Sequence, residues 1–140
     1  MKLCLKLSTY CNRDFKMNKQ NNVKEFSWGY EIHWANQPTY SGKILVFPNK
    51  LSCTDMIFHK DKDKTYFINN GKFKFRWIDT NNGQLYEQEL GEGGVWHVPA
   101  MRPSSLQSLE ENSSITEVNN SSNEQDFFNV FKSDSILGAK

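Results

Sequence analysis

The chain has 140 residues, a formal net charge of +1 at pH 7 and an aromatic content of 14%. A chain of this length can bury a core of its own and is expected to form one domain, and its many aromatic residues favour β-sheet. Because the net charge is so small and basic residues alternate with acidic ones, the composition gives no electrostatic reason to expect binding to nucleic acid or to an acidic membrane surface.

Residues 1–24 are expected to form an N-terminal arm. Residues 2–7 alternate lysine with leucine or cysteine, as a short edge strand would, and residues 12–24 are polar and rich in Asn and Lys. The arm contains no apolar run of the kind found in a signal peptide or a membrane span. The three cysteines, Cys4, Cys11 and Cys53, form no C-x-x-C pair, which favours free thiols in a reducing compartment. We therefore expect a cytoplasmic protein.

The strongest strand signal begins at Glu25. Residues 25–34 alternate, so that one face carries Phe26, Trp28, Tyr30, Ile32 and Trp34. A period of two is typical of a half-buried strand. The pattern predicts one continuous strand with its aromatic residues on one face and with His33 on the opposite, solvated face.

Eight more short strands are predicted in the next part of the chain, at residues 40–47, 55–59, 65–68, 72–79, 84–90, 95–99, 106–110 and 114–118. Two Asn-Asn-Gly sequences, ending at Gly71 and Gly83, supply the positive-φ positions of tight hairpin turns. The run 60–64 has five successive charges and is predicted to be a solvated turn. In the strand 72–79, alternation places Phe73, Phe75 and Trp77 on the core face.

No helical period is sustained before residue 119, and many short strands joined by Gly and Asn turns indicate a sandwich or barrel. Residues 119–125 are polar and predicted to be a loop. An apolar patch follows that could cover the barrel or a partner, formed by Phe127, Phe128, Val130 and Phe131. The expected division is an arm at 1–24, a barrel at 25–118, and a C-terminal segment and tail at 119–140.

The order of these elements resembles the cupin superfamily, in particular small proteins similar to the C-terminal domain of mannose-6-phosphate isomerases. The segments Trp28-Gly-Tyr-Glu-Ile-His-Trp-Ala35 and Tyr40-x-Gly-Lys-Ile-Leu45 look like its entry strands. Phe58-His-Lys-Asp-Lys-Asp-Lys-Thr65 looks like the first cupin motif, and Gly93-x-x-Trp96 with Pro103 and Leu106 looks like the second. The resemblance covers about residues 25–131 and implies an all-β, single-domain, cupin-type (RmlC-like) antiparallel β-barrel or jelly roll.

The resemblance also implies a divalent metal inside the barrel, held by an H-x-H pair, a carboxylate and a third His. Alternate residues of a strand point the same way, so H-x-H presents two imidazoles to one point. Here the four ligand positions fall on Ile57, His59, Lys64 and Ser104, and a lysine ammonium would repel a cation. No cofactor is therefore predicted. A divalent metal on a site rebuilt from Cys53, Asp55, His59 and His97 stays an alternative.

Three functions compete. The first is a cupin with a degenerate metal site that binds a small polar or sugar-phosphate-like ligand without catalysis, through interior residues predicted to be His59, Tyr66, Tyr86, Arg76 and Ser104. The second is a metal-independent sugar or nucleotide-sugar isomerase or epimerase, in which His59 is the base and Tyr66 or Tyr86 the acid. The third is a metal-dependent cupin enzyme with a remodelled site.

The expected partner is a second copy of the chain. Small cupins of this kind pair as dimers, and exposed sheet edges favour such contacts, so we expect a homodimer through sheet edges. No membrane or nucleic-acid partner is expected. The aromatic residues of the strand 72–79 could stack on bases, but they are predicted to point into the core.

Overall fold

The computed structural model describes residues 22–121 and 123–134. Within these ranges the chain forms eleven strands: β1 (Val23–Phe26), β2 (Gly29–Gln37), β3 (Tyr40–Phe47), β4 (Met56–Phe58), β5 (Lys64–Asn70), β6 (Lys72–Ile78), β7 (Leu85–Gly91), β8 (Val95–Val98), β9 (Ser104–Ser108), β10 (Ser113–Asn119) and β11 (Phe128–Phe131). The predicted edge strand at 2–7 and most of the predicted loop at 12–24 lie outside the described residues.

The strands form two sheets. One sheet has the order β1-β2-β3-β10-β5-β8 and the other the order β11-β4-β9-β6-β7, and all the paired strands are antiparallel. The core lies between them, and its completely buried side chains include Phe47, Ile68, Phe73, Phe75 and Ile115. The predicted all-β, antiparallel architecture is confirmed. The edge strands are β1 and β8 in one sheet and β11 and β7 in the other, and the homodimer through sheet edges stays a prediction.

Strand β6 has the two faces that its alternation predicts. Phe73 and Phe75 are completely buried in the core. Lys74 and Arg76 lie on the opposite face, where Lys74 Nζ is 3.5 Å and Arg76 Nε 3.2 Å from a carboxylate oxygen of Glu87 on β7. The charges on this face are therefore compensated by the neighbouring strand.

The predicted continuous strand at 25–34 is wrong. The chain turns at residues 27–28, so that Phe26 pairs with Gly29 across a hairpin. Gly29 has a φ of +151°, and a Cβ there would lie 2.0 Å from the carbonyl oxygen of Val46. A residue with a side chain cannot take this place without moving the backbone. Beyond the turn, a register shift after His33 leaves Trp34 on the surface with an exposed fraction of 54%.

Two further predictions need correction. The solvated turn was predicted to include Lys64, but this residue begins β5 and is only 5% exposed. The apolar patch near the C-terminus was predicted without secondary structure, whereas β11 pairs with β4 and extends the five-stranded sheet. Within the described ranges, no helix is long and apolar enough to cross a membrane.

Candidate functional site

A cavity of about 480 Å³ is lined by residues from both sheets. Strands β1, β2, β3, β5 and β10 contribute from the six-stranded sheet, and β4 and β9 contribute from the other. Its polar and ionisable lining includes Glu31, His33, Lys43, His59, Lys62, Lys64, Tyr66, Ser104, Ser105, Glu117 and Asn119. These groups make the cavity the candidate functional site.

A carboxylate on β2 connects two basic groups in the cavity. One oxygen of Glu31 lies 2.9 Å from Lys43 Nζ and the other lies 2.8 Å from His33 Nε2. The side chains meet because Glu31 and His33 alternate onto the same face of β2, and His33 is paired with Lys43 across β3. The prediction that His33 lies on a solvated face is therefore wrong. The turn at residues 27–28 determines which face of β2 is buried, and the alternation of aromatic residues does not show this turn.

Glu117 on β10 is the most deeply buried carboxylate of the site, with an exposed fraction of 3%. Its Oε1 accepts a hydrogen bond of 3.0 Å from Asn119, and its Oε2 lies 3.9 Å from Lys43 Nζ. Burial alone would raise the pKa of Glu117, but Lys43, Lys64 and hydrogen bonds from Asn119 and Tyr66 hold this pKa below its ordinary value. Glu117 is therefore ionised at neutral pH.

Tyr66 and Lys43 respond to that buried charge. Burial and the nearby carboxylate of Glu117 raise the pKa of Tyr66 well above its ordinary value. Burial alone would lower the pKa of Lys43, but the charges of Glu117 and Glu31 raise it. Tyr66 is therefore a neutral phenol and Lys43 a fixed cation.

Lys64 is buried without a partner. Within the described residues its ammonium nitrogen makes no ion pair and no hydrogen bond, and it lies 5.5 Å from the centre of the Tyr66 ring. Burial lowers the pKa of Lys64 to about 8; Glu117 opposes the shift, and the cations Lys43 and Lys62 add to it. A substantial fraction of this amine is therefore neutral at physiological pH.

His59 follows β4 and is held by the segment before β11. Its Nδ1–H donates to the backbone carbonyl of Asp126, whose carboxylate accepts bonds of 2.6 Å and 2.9 Å from the backbone N–H groups of Lys60 and Asp61. Burial, and then the charge of Lys64, lower the pKa of His59 to about 4. The imidazole is therefore neutral at pH 7 and is a weak base.

The four positions that resemble the cupin metal ligands all line the cavity. They are Ile57, His59, Lys64 and Ser104, and Ile57 is paired with Ser104 between β4 and β9. Their side chains are a hydrocarbon, an imidazole, an ammonium and a hydroxyl, which is not a donor set for a divalent cation. Nor do the described residues contain any group of three His, Cys, Asp or Glu side chains that could hold one.

The alternative metal site is not assembled either. His97 lies on β8 beside Thr65, whose hydroxyl is 3.2 Å from its Nδ1, and it does not line the cavity. Cys53 is buried where it bridges to Gln107. The structure therefore does not bring Cys53 and His97 to one point with Asp55 and His59.

Two predicted interior residues lie elsewhere. Arg76 is on the face of β6 opposite Phe75, and its Nη2 donates a bond of 2.8 Å to Gln107. Tyr86 is on the edge strand β7, where it stacks on Trp77 and accepts a bond of 3.0 Å from Asn82. His59, Tyr66 and Ser104 do line the cavity. The prediction failed for Arg76 because alternation on β6 places it on the face opposite Phe75, and for Tyr86 because β7 contributes no residue to the cavity lining.

The sequence analysis also missed the charged residues that dominate the site: Glu31, Lys43, Lys62 and Glu117. A signal was present for Glu117, which shares a strand face with Ile115, a residue that a β-rich chain would bury. Glu31 and Lys43 each stand next to an isoleucine, and the strand patterns favour burial of the isoleucine and not of the charged residue.

No family model and no curated protein sequence matches the chain. Several solved structures are similar to it. A structure of oxalate decarboxylase from Bacillus subtilis has a TM-score of 0.70 at 17% identity, covering 80% of this chain and 30% of that chain. The protein CapF, solved with the inhibitor 3-isopropenyl-tropolone, has a TM-score of 0.67 at 14% identity, covering 78% of this chain and 33% of that chain.

The chain thus spans about a third of the length of these structures. Both neighbours are cupin-fold proteins. At such low identity the likeness concerns the fold alone. Together with the two antiparallel sheets described above, it establishes that this chain has the cupin-type jelly-roll β fold.

Proposed function

We propose that this chain binds a small anionic ligand, of the sugar-phosphate or carboxylate class, in its cavity and without a metal. The observation that carries the proposal is the position of Lys64, which is 5% exposed, lines the cavity and has no ion-pair or hydrogen-bond partner among the described residues. An unpaired buried charge is costly, and buried charges are normally paired. An anionic ligand would supply the missing partner.

Four lysines and four carboxylates line the cavity, so its formal charge balances, but the two signs are not evenly distributed. Lys24 lies 2.5 Å from Glu124, and Lys43 is 2.9 Å from Glu31. Lys62 and Lys64 have no such carboxylate within the described part of the chain. Because these two lysines are separated by one residue and both line the cavity, they form a pair of cations that one ligand can reach.

Neutral polar groups beside the two lysines suit a ligand with hydroxyl groups. Asn119 and Ser104 line the same cavity and offer both donors and acceptors. A sugar phosphate is also what the resemblance to mannose-6-phosphate isomerases favours, and a few polar groups within a largely apolar concavity are typical of small-molecule sites.

A metal-independent isomerase is the second candidate, because His59 and Tyr66 both line the cavity. Their ionisation works against that role. A His with a pKa of about 4 is a weak base, and a Tyr with a pKa well above its ordinary value is a weak acid. Efficient proton transfer needs groups whose pKa lies near the working pH. Binding without proton transfer by this pair is therefore the better-supported function.

The test is calorimetric titration and thermal melting with inorganic phosphate, glucose 6-phosphate, citrate and glucose. We expect the anions, but not glucose, to bind and to raise the melting temperature. Lys62→Met and Lys64→Met should each weaken anion binding about tenfold or more, since a hydrogen bond to a charged group contributes about 1.5–3 kcal/mol.

Lys60→Met is the matched control. Lys60 belongs to the same charged run but is exposed, and only its backbone N–H contacts Asp126. Its replacement should leave anion binding unchanged. Binding of no anion, or an equal loss in all three variants, would overturn the proposal.

A further inference from the structure

We propose that Lys64 is an amine nucleophile that forms an imine with the carbonyl group of a bound oxo-acid, such as an aldehyde acid or a keto acid. This inference rests on the proposed function, because the same cavity must first admit the anion. It goes further by assigning a covalent step to one residue and by naming the ligand class that the step requires.

The first support is the placement of the amine. Lys64 is the first residue of β5, and its backbone is held on both sides by pairing with Asn119 of β10 and Val98 of β8. The side chain is buried and lines the cavity, and in the described residues no hydrogen bond or ion pair occupies its nitrogen. The nitrogen is therefore free to meet a ligand atom, and the backbone that carries the side chain is held in a defined place.

The second support is the neighbouring cation. Lys62 also lines the cavity and has no ion-pair partner among the described residues. A ligand that carries a carboxylate next to a carbonyl could place the carboxylate at Lys62 and the carbonyl carbon at Lys64. Such a ligand would use both lysines, one as a cation and the other as a nucleophile.

The third support is the electrostatic surrounding of the amine. An imine forms from a neutral amine, and amines are activated by burial and by adjacent cations. The charged groups around Lys64 are Lys62 of its own segment, Lys43 of β3, Glu31 of β2 and Glu117 of β10. Burial and the two lysines outweigh the carboxylates, and the resulting pKa of about 8 leaves far more neutral amine near pH 7 than an ordinary lysine has.

The step balances without an added reactant. The lone pair of Lys64 Nζ attacks the carbonyl carbon, a C–N bond forms, and one N–H proton moves to the oxygen to give a carbinolamine. The C–O bond then breaks, and the second N–H proton leaves with the hydroxyl as water. The products are the imine and one water molecule, with no change in oxidation state.

The test uses glyoxylate as the probe and sodium borohydride as the hydride donor. Borohydride reduces an imine to a secondary amine, so a glyoxylate imine at Lys64 becomes a carboxymethyl-lysine that peptide mass spectrometry can locate. Near neutral pH and at low glyoxylate, we expect about tenfold or more labelling of Lys64 over the exposed Lys60, because an ordinary lysine is almost entirely protonated. This comparison lies within one wild-type sample and needs no variant to fold.

Variants then separate the cation from the nucleophile. Lys64→Arg keeps a positive charge but has no amine that forms an imine, so it should bind glyoxylate and show no label at this position. Glyoxylate binding to the wild-type chain, measured by calorimetry, with equal labelling of Lys64 and Lys60, would overturn the imine and leave anion binding standing. Absence of binding by glyoxylate and by phosphate, together with absence of selective labelling, would overturn both proposals.

Discussion

The ammonium nitrogen of Lys64 lies 5.5 Å from the centre of the Tyr66 ring, within the range of a cation–π contact. Such a contact stabilises by about 0.5–2 kcal/mol, whereas removing an ammonium from water costs several kcal/mol. The aromatic ring therefore offsets only part of the cost of burying Lys64. An anion that binds beside Lys64 can compensate the rest of this cost.

The stability of the chain should depend on pH through Lys64. Its pKa in the folded chain is about 8, below its ordinary value of 10.5, so between these pH values the unfolded chain binds more protons at this residue. The free energy of unfolding should therefore rise by up to about 3 kcal/mol as pH increases through this window. Below pH 8, the full cost of burying the charged ammonium group of Lys64 lowers the stability.

Urea denaturation at a series of pH values checks this. Lys64→Met cannot titrate, so it should be more stable than the wild-type chain by about 1–3 kcal/mol near neutral pH, and the gap should narrow as pH approaches 10. Lys60→Met should follow the wild-type profile. A gap between Lys64→Met and wild type that stays constant with pH would refute the assignment.

Much of the fold could be predicted because it depends on local alternation. The two faces of β6 follow directly from the sequence, since every second residue points the same way. The break at residues 27–28 could not be predicted in this way, because the alternation of apolar residues carries no information on backbone conformation. The turn requires a glycine at position 29, because the backbone there lies very close to the carbonyl oxygen of Val46. This contact exists only once β2 and β3 are paired.

The site was harder to predict for a related reason. The resemblance directed attention to His59, Lys64 and Ser104, which do line the cavity. The carboxylates that face them were missed because their burial depends on long-range strand register. Glu117, for example, meets Lys43 only because β10 pairs with β3, more than seventy residues earlier in the chain. No short window of sequence contains that relationship.

Gly29→Ala should be strongly destabilising. The added methyl group would lie 2.0 Å from the carbonyl oxygen of Val46, at a φ that is unfavourable for any side chain. We expect a loss of about 2–4 kcal/mol in the free energy of unfolding, measured by urea denaturation. Gly91→Ala is the matched control, because a Cβ there meets nothing within 4 Å. Equal effects of the two substitutions would exclude the tight hairpin at residues 27–28.

His59 should titrate far below an ordinary histidine. Its pKa of about 4 lies below the ordinary value of 6.5, so the unfolded chain binds more protons between these pH values and stability falls as pH drops through them. We expect one imidazole signal in NMR to titrate near pH 4 and to disappear in His59→Gln. As pH falls from about 6.5 to about 4, protonation of His59 should lower the free energy of unfolding of the wild-type chain by about 2 kcal/mol, a value reduced because the side chain is partly exposed. His59→Gln should lack this part of the acid-induced loss. A signal assigned to His59 that titrates near 6.5 would contradict its burial against Asp126.

Glu117→Gln separates the structural role of the cavity charges from their role in binding. Glutamine keeps the size of the side chain and can still bond to Asn119, but it removes the negative charge 3.9 Å from Lys43 Nζ. We expect a loss of about 2–4 kcal/mol in the free energy of unfolding, because the change removes the carboxylate that most strongly offsets the burial of Lys43 and Lys64. Glu89→Gln, which alters the exposed pair with Lys72 on β6 and β7, should change stability much less.

Anion binding should move in the opposite direction. Without the carboxylate of Glu117, the nearest negative charge that opposes Lys62 and Lys64 is gone, and calorimetry should detect tighter binding of inorganic phosphate to the less stable protein. A residue that only supported the fold would lower stability and affinity together. Weaker phosphate binding by Glu117→Gln would therefore count against anion recognition by these lysines, whereas tighter binding would show that Glu117 limits the affinity of the same cavity that it stabilises.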